Sequence, residues 1–292
     1  MHEDIRNRPA LKHDDILKLN FIRSPGIYVY NRHFRAGLRS HIMEVLAIND
    51  WEKGEKGVIE GGLMWFPKAS PLKMLRIFRT GFKNLKEAEE ELRRVKLIEA
   101  YLAPDHLASS EEFLVSYRAN RRWELLLCGL QEFVEGEILD PWGRFENKQL
   151  AFIFSHLTHE AHKNTEMEIS LWIRTVRKKA KYFIGKLKEM ISKTRHVPDL
   201  AGIGNLLLTR SGAIKLVDIN NISTCSFKNT IQLDDRGYPV CDKSIEALYL
   251  LEQEFMGGPV MKESRLYRTF LDPRRMNEVR AIEEAFHHTM RD

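Results

Sequence analysis

Hydrophobic residues change their spacing along the chain, and the change divides it. Between Gly26 and about Phe78, short apolar runs (GIYVY, IMEVLAI, GLMWF and KMLRIF) alternate with Gly, Pro, Asn and Ser punctuation, which predicts a small antiparallel sheet. From Leu85 to Leu102 the period lengthens: Leu85, Ala88, Leu92, Val95 and Ile98 or Glu99 fall near one face, so a helix is expected, closed by Pro104. Two further strands are predicted at Phe113–Tyr117 and Glu124–Val134, with a turn at Gly136. Helices then take over, at Gln149–His162 and Glu166–Ser192, about Ser244–Met256 and about Asn277–His288. The pattern is a sheet-rich part containing one helix, then a mainly helical part.

One strand pair interrupts the helical part. LLLT at Leu206–Thr209 and IKLVD at Ile214–Asp218 flank RSGA, where Gly212 supplies the positive φ of a tight turn. This hairpin carries Asn205 before its first strand and Asp218 at the end of its second. An amide oxygen and a carboxylate so placed suit a hard cation such as Mg²⁺. Six residues before Asn205 stands Asp199, placed to accept a proton from an attacking hydroxyl.

Composition narrows the classes. In 292 residues, 43% hydrophobic content supports one large domain or two lobes and argues against a disordered or fibrous chain. The 46 Lys and Arg against 41 Asp and Glu give a formal charge of +5, which favours anionic partners without naming one. The three cysteines, Cys128, Cys225 and Cys241, form no CxxC pair, so neither a disulfide framework nor a thiolate metal site is indicated. With a charged N-terminal segment, no signal-peptide core and no apolar run approaching the ~20 residues of a membrane span, a cytoplasmic location is expected, with peripheral contact at the inner membrane left open.

The segment VPDLAGIGNLLLTRSGAIKLVDINN, Val197–Asn221, resembles the catalytic loop and metal-binding hairpin of protein-kinase-like phosphotransferases, including bacterial small-molecule and lipopolysaccharide kinases. The resemblance implies an α+β, bilobal fold: an N-terminal lobe (residues 1–134) of antiparallel sheet and one helix, and a larger, mainly helical C-terminal lobe (135–292). It implies Asp199 as catalytic base, Asn205 and Asp218 as metal ligands, and ATP and Mg²⁺ as cofactors. Arg76 stands where the family's phosphate-contacting strand lysine is expected, with Glu91 as its helix partner and Glu89 and Glu90 as near competitors. Glu132, Phe133 and Val134 would present backbone groups to an adenine edge. The implied partners are a nucleotide and an anionic or sugar-like small-molecule substrate, because the stretch from Asp218 to Asp242 is short for a peptide platform.

The sequence departs from the pattern in places. Asp199 and Asn205 are six residues apart against five in the usual loop, and Asp218 is followed by Ile219-Asn220 instead of Phe-Gly. The Gly54, Gly57, Gly61 and Gly62 cluster lacks the family's phosphate-loop spacing. These departures keep open a pseudokinase that binds nucleotide without phosphotransfer. Asp242, before an apolar helix, reads both as an N-cap and as the family aspartate that braces the catalytic loop. The histidines of HLTHEAH lack metalloprotease spacing and read as solvated or core-edge groups. The basic stretch Arg174–Lys188 reads as a solvated helix face, and no nucleic-acid motif accompanies the charge.

Overall fold

The computed structural model describes residues 4–22, 26–34, 39–119, 122–158, 165–256 and 264–289. Its contacts divide the chain into two compact units, residues 1–94 with 108–133, and residues 95–107 with 134–292. The fold class is α+β: an antiparallel five-stranded sheet in the first unit and a mostly helical second unit.

In the first unit a short 3₁₀ turn (Ile5–Asn7) and α1 (His13–Leu17) precede β1 (Tyr28–Arg32) and β2 (Ser40–Ala47). Then come α2 (Ile48–Lys56), β3 (Val58–Glu60), β4 (Leu63–Trp65), β5 (Lys73–Phe78), α3 (Leu85–Leu102), β6 (Ser110–Ala119) and β7 (Arg122–Glu132). The main sheet has the order β1-β2-β5-β7-β6. Side chains alternate across it. On one face Tyr30, Val45, Leu75, Ile77 and Cys128 are buried together with Ile5, Leu11, Ile16 and Leu19 from the N-terminal segment. The other face carries Met74, Arg76 and Phe78, which are also buried.

One sequence expectation fails here. GLMWF does not join the main sheet: β4 pairs only with β3, in a separate hairpin whose Ile59, Leu63, Met64 and Trp65 are more than half exposed. The glycine cluster, whose spacing lacks the phosphate-loop pattern, spans a helix and a surface hairpin. Gly54 lies inside α2, which Asp50–Lys53 and Glu52–Lys56 pairs support on its exposed side. Gly57, with φ +77°, ends that helix, and Gly61 and Gly62, at φ +58° and +81°, form the turn of the hairpin.

The second unit gathers β8 (Glu137–Ile138), α4 (Asn147–Thr158), α5 (Glu166–Thr194), β9 (His196–Pro198), β10 (Leu206–Leu208), β11 (Ile214–Leu216), β12 (Ile222–Thr224), α6 (Val240–Met256), α7 (Arg265–Phe270) and α8 (Pro273–Thr289). Val95, Ile98 and Leu102, from the C-terminal half of α3, belong to its core. Helix α5 is the spine. Thr165 caps it with a reciprocal Glu168 box, and Trp172, Val176, Ala180, Phe183, Leu187 and Met190 form its buried stripe at helical spacing. The last residues of the expected Gln149–His162 helix lie outside the described residues. Helix α6 starts at Val240, so Asp242 is a buried member of its first turn, not its N-cap.

His41 gives this fold a pH dependence. Its Nε2–H donates to the Ile5 carbonyl at 3.1 Å, which leaves Nδ1 facing the Arg79 guanidinium at 3.4 Å. Burial, then Arg79, with a smaller contribution from Arg32, lowers its pKa from 6.5 to about 4. The unfolded chain therefore binds more protons across that window, so stability is full above about pH 6.5, falls as pH drops and levels off below about 4. The total loss from this one group is on the order of 3 kcal/mol. Urea unfolding at pH 7 and pH 5 should show a larger drop for the wild type than for His41→Gln, by about 2 kcal/mol. Equal drops in the two proteins would remove His41 as the cause.

Candidate active site

Local geometry in the second unit draws the residues of Val197–Asn221 together. Strands β9 and β12 pair, and Asp199 N–H donates to the Asn221 carbonyl at 2.9 Å. The chain then turns through Leu200–Gly204 into β10, which pairs with β11. Within this loop Asp199 Oδ1 accepts from the amides of Ala201 (3.0 Å) and Gly202 (3.2 Å). Asn205 Nδ2 donates back to the Asp199 carbonyl at 3.0 Å, and Val217 N–H reaches the Asn205 carbonyl at 2.9 Å. Asp218 Oδ1 accepts from Asn220 N–H at 3.0 Å.

The six-residue spacing is accommodated by its glycines. Gly204 takes φ +94°, and a Cβ on Gly202 would lie 2.5 Å from Asn205 Nδ2. The Asn205 side chain thus occupies the space where any other residue at 202 would stand. Further support comes from distant parts of the chain: Leu200 N–H donates to Ser244 Oγ of α6 at 3.1 Å, and Trp142 Nε1–H donates to the Ala201 carbonyl at 3.1 Å. Lys243 Nζ lies 4.3 Å from the Trp142 ring centroid and pairs with Glu246 and Glu283 at 2.8 and 2.9 Å. Asp242 does not hold the loop. Its carboxylate takes Arg275 Nε and Nη2 at 2.5 and 3.1 Å, while Ser244 engages the loop backbone.

Electrostatics mark Asp199 out. Burial, and next the charge of Asp218, raise its pKa to about 6, against the lowering effect of the Gly202 and Ala201 amides and Asn221 Nδ2. Its Oδ1 is held by two amides, whereas Oδ2 has the longer 3.5 Å contact with Asn221. With Asn205 Nδ2 directed to the Asp199 carbonyl, Asn205 Oδ1 is left as an acceptor. The Asn205 amide oxygen and the Asp218 carboxylate are hard donors of the kind Mg²⁺ takes. Among the described residues no group of three or more His, Cys, Asp or Glu could hold a metal, so other ligands would have to complete such a site. His156 lies 3.9 Å from Glu137 and stacks near Phe152, while His159 and His162 fall outside the described residues.

In the first unit, Arg76 takes Glu112 as its carboxylate, at 2.9 Å, and Ser110 Oγ at 3.0 Å. Glu91, the partner expected from the sequence, pairs with Arg94 at 3.0 Å. Register explains the Arg76–Glu112 pair. Arg76 and Glu112 both stand opposite Gly129 in the ladder, and Gly129 has no side chain to separate them. A Cβ there would lie 3.3 Å from both Arg76 Nη2 and Glu112 Oε1. At the end of β7, Glu132 N–H is taken by the Ser109 carbonyl at 2.8 Å. A nucleotide at Glu132–Val134 would have to use other backbone groups of that run. The division between units falls between Phe133 and Val134.

The sequence reading missed Trp142, Asn221, Lys243, Ser244 and Glu283. Only Asn221 lies near the motif. The others are brought to the loop by tertiary packing, across separations of 44 residues for Ser244 and 59 for Trp142.

No family model matches the chain, and no curated protein matches it. Among solved structures it overlaps one described as the ROP18 kinase domain in complex with AMP-PNP and sucrose. The identity is 9%, the overlap covers 91% of this chain and 83% of that one, and the TM-score is 0.35. An overlap of that quality carries no weight for the chemistry.

The buried pair sets a stability test. Glu112→Ala takes the 2.9 Å carboxylate from the buried Arg76 guanidinium and should cost up to about 3–5 kcal/mol in urea unfolding, whereas Arg76→Met with Glu112→Leu should recover most of the loss. A Glu112→Ala protein within about 1 kcal/mol of wild type would show that the pair is not what holds this face of the sheet.

Proposed function

We propose that the protein is an ATP- and Mg²⁺-dependent phosphotransferase of the protein-kinase-like class, acting on a hydroxyl of a small molecule, a sugar or a lipid-linked glycan, in the manner of bacterial small-molecule and lipopolysaccharide kinases. The observation that carries this reading is the Asp199 carboxylate, with one oxygen anchored by loop amides and its pKa raised to about 6 by burial and by Asp218. In this reading Oδ2 of Asp199 orients the substrate hydroxyl and accepts its proton. Asn205 Oδ1 and Asp218 serve as metal ligands. Bound Mg²⁺ would supply charge neutralisation at the nucleotide phosphates. The gain in rate then comes from positioning the hydroxyl and from electrostatics. Exposed Arg174, Lys178 and Lys181 on α5 suit an anionic substrate or membrane surface in the cytoplasm.

A second reading, a pseudokinase that binds nucleotide without turnover, is favoured by Arg76. Its side chain is 1% exposed and engaged by Glu112 and Ser110, so contact with a phosphate would compete with that pair. Arginine also lacks the compact ammonium of the lysine it replaces.

The two readings separate in one set of assays on the full chain, measuring nucleotide binding with and without Mg²⁺ and the transfer or hydrolysis of the ATP γ-phosphate. Asp199→Ala should keep Mg²⁺-dependent nucleotide binding and lose about 10²–10⁴-fold in turnover. Asp218→Ala should lose the Mg²⁺ dependence of binding as well as turnover. Full activity in Asp218→Ala would sink the metal assignment. Tight nucleotide binding by an inactive wild type supports the pseudokinase, and no nucleotide binding at all would reject both.

A further inference from the structure

Among the described residues, the face of the first unit's sheet opposite the Arg76–Glu112 pair is not completely filled. Between that face and the segment following α1 lies a cavity of about 440 Å³, walled by Phe21, Tyr30, Val45, Leu75, Phe113 and Leu130, with Tyr28, Leu72 and Lys73 also lining it. Its size is that of a small-molecule site, and its walls are almost wholly apolar. The ladder explains why these residues converge. Tyr30 stands opposite Val45, and Val45 opposite Lys73, so the three form one row across β1, β2 and β5, while Leu75 faces Leu130 in the next row on the same face.

Three polar groups break this apolar lining: the hydroxyls of Tyr28 and Tyr30 and the ammonium of Lys73. Among the described residues no hydrogen bond or ion pair engages the hydroxyl of Tyr28, the hydroxyl of Tyr30 or the ammonium of Lys73. Tyr30 is 7% exposed, and burial, with the neighbouring Tyr28 phenol, pushes its pKa up, so it remains a donor. Lys73 faces Glu132 in the ladder, but no salt bridge joins them. In an apolar hollow such hydrogen-bonding groups can take an acceptor from a bound ligand. One cation and two hydroxyl donors at an apolar hollow select an acceptor head on an apolar body.

We propose that this cavity is a binding site for a small amphipathic carboxylic acid, its apolar body against Val45, Leu75, Phe113 and Leu130 and its carboxylate taken by Lys73 and the tyrosine hydroxyls. The site lies within the first unit and is independent of the phosphotransferase reading.

Calorimetric titration of the full chain with decanoate, decanol and decylammonium tests it. Decanoate should bind at least about tenfold more tightly than decanol, a difference of about 1.4 kcal/mol, and decylammonium should bind more weakly than either. Lys73→Met should bring decanoate to the affinity of decanol. Leu72 is 51% exposed at the cavity, so Leu72→Trp should narrow the site without disturbing the core and weaken decanoate and decanol alike, with near-UV circular dichroism confirming the fold. Absence of decanoate binding, equal binding of decanoate and decanol, or tighter binding of decylammonium through Glu132 would overturn the proposal. So would a Lys73→Met or Leu72→Trp protein that binds decanoate as the wild type does.

Discussion

Two carboxylates, Asp199 and Asp218, are held near enough for the charge of one to raise the pKa of the other, and the rest of the second unit is organised around tolerating that repulsion. Left on flexible segments, like charges would move apart into water. Here Asp199 is fixed through its own carboxylate by the Ala201 and Gly202 amides, and through its backbone by Asn221 and Asn205. Asp218 lies just beyond β11, whose partner β10 leads back to Asn205. The frame under both is the core formed by α5, α6 and these short strands, where Leu206, Leu208, Ile214 and Leu216 are completely buried. Apolar burial there provides the free energy that keeps the charged loop in place.

Three further contacts stiffen the loop without entering its charge balance. Ser244 takes the Leu200 amide, Trp142 donates to the Ala201 carbonyl, and Lys243 lies over the Trp142 ring while pairing with Glu246 and Glu283. Tyr238 extends this network by donating to Glu283 at 2.7 Å, and burial together with the charges of Glu283, Asp199 and Glu246 raises its pKa, so it stays a neutral donor. Satisfied polar networks of this kind specify one arrangement of a buried loop, because any alternative leaves donors or charges unpaired.

In the first unit a single glycine has the corresponding effect. Gly129 allows the Arg76 guanidinium to reach across β7 to Glu112, and the strands on either side are held in register by the buried charge pair as well as by the ladder. The family resemblance suggests a helix glutamate for Arg76. The sheet provides Glu112, at 2.9 Å. The same alternation that sends Arg76 to this face sends Lys73 and Leu75 to the other, where the cavity is found.

The sequence by itself determined what depends on neighbours along the chain. The strand and helix periods, the Gly212 turn at φ +77° and the strands that flank it, and the long stripe of α5 were all legible, since each follows from local steric limits and burial at a fixed period. It could also point to Asp199, Asn205 and Asp218 as a set, because short connections leave a hairpin and its preceding loop little freedom to separate. Only the tertiary structure decided the partners of the isolated charges. Arg76 finds Glu112 across 36 residues and Asp242 finds Arg275 across 33, and a charge has no periodicity from which such a partner can be read. The expectation that GLMWF joins the main sheet fails for a related reason: an apolar run announces a strand, but whether that strand enters the main sheet depends on edges that distant segments occupy.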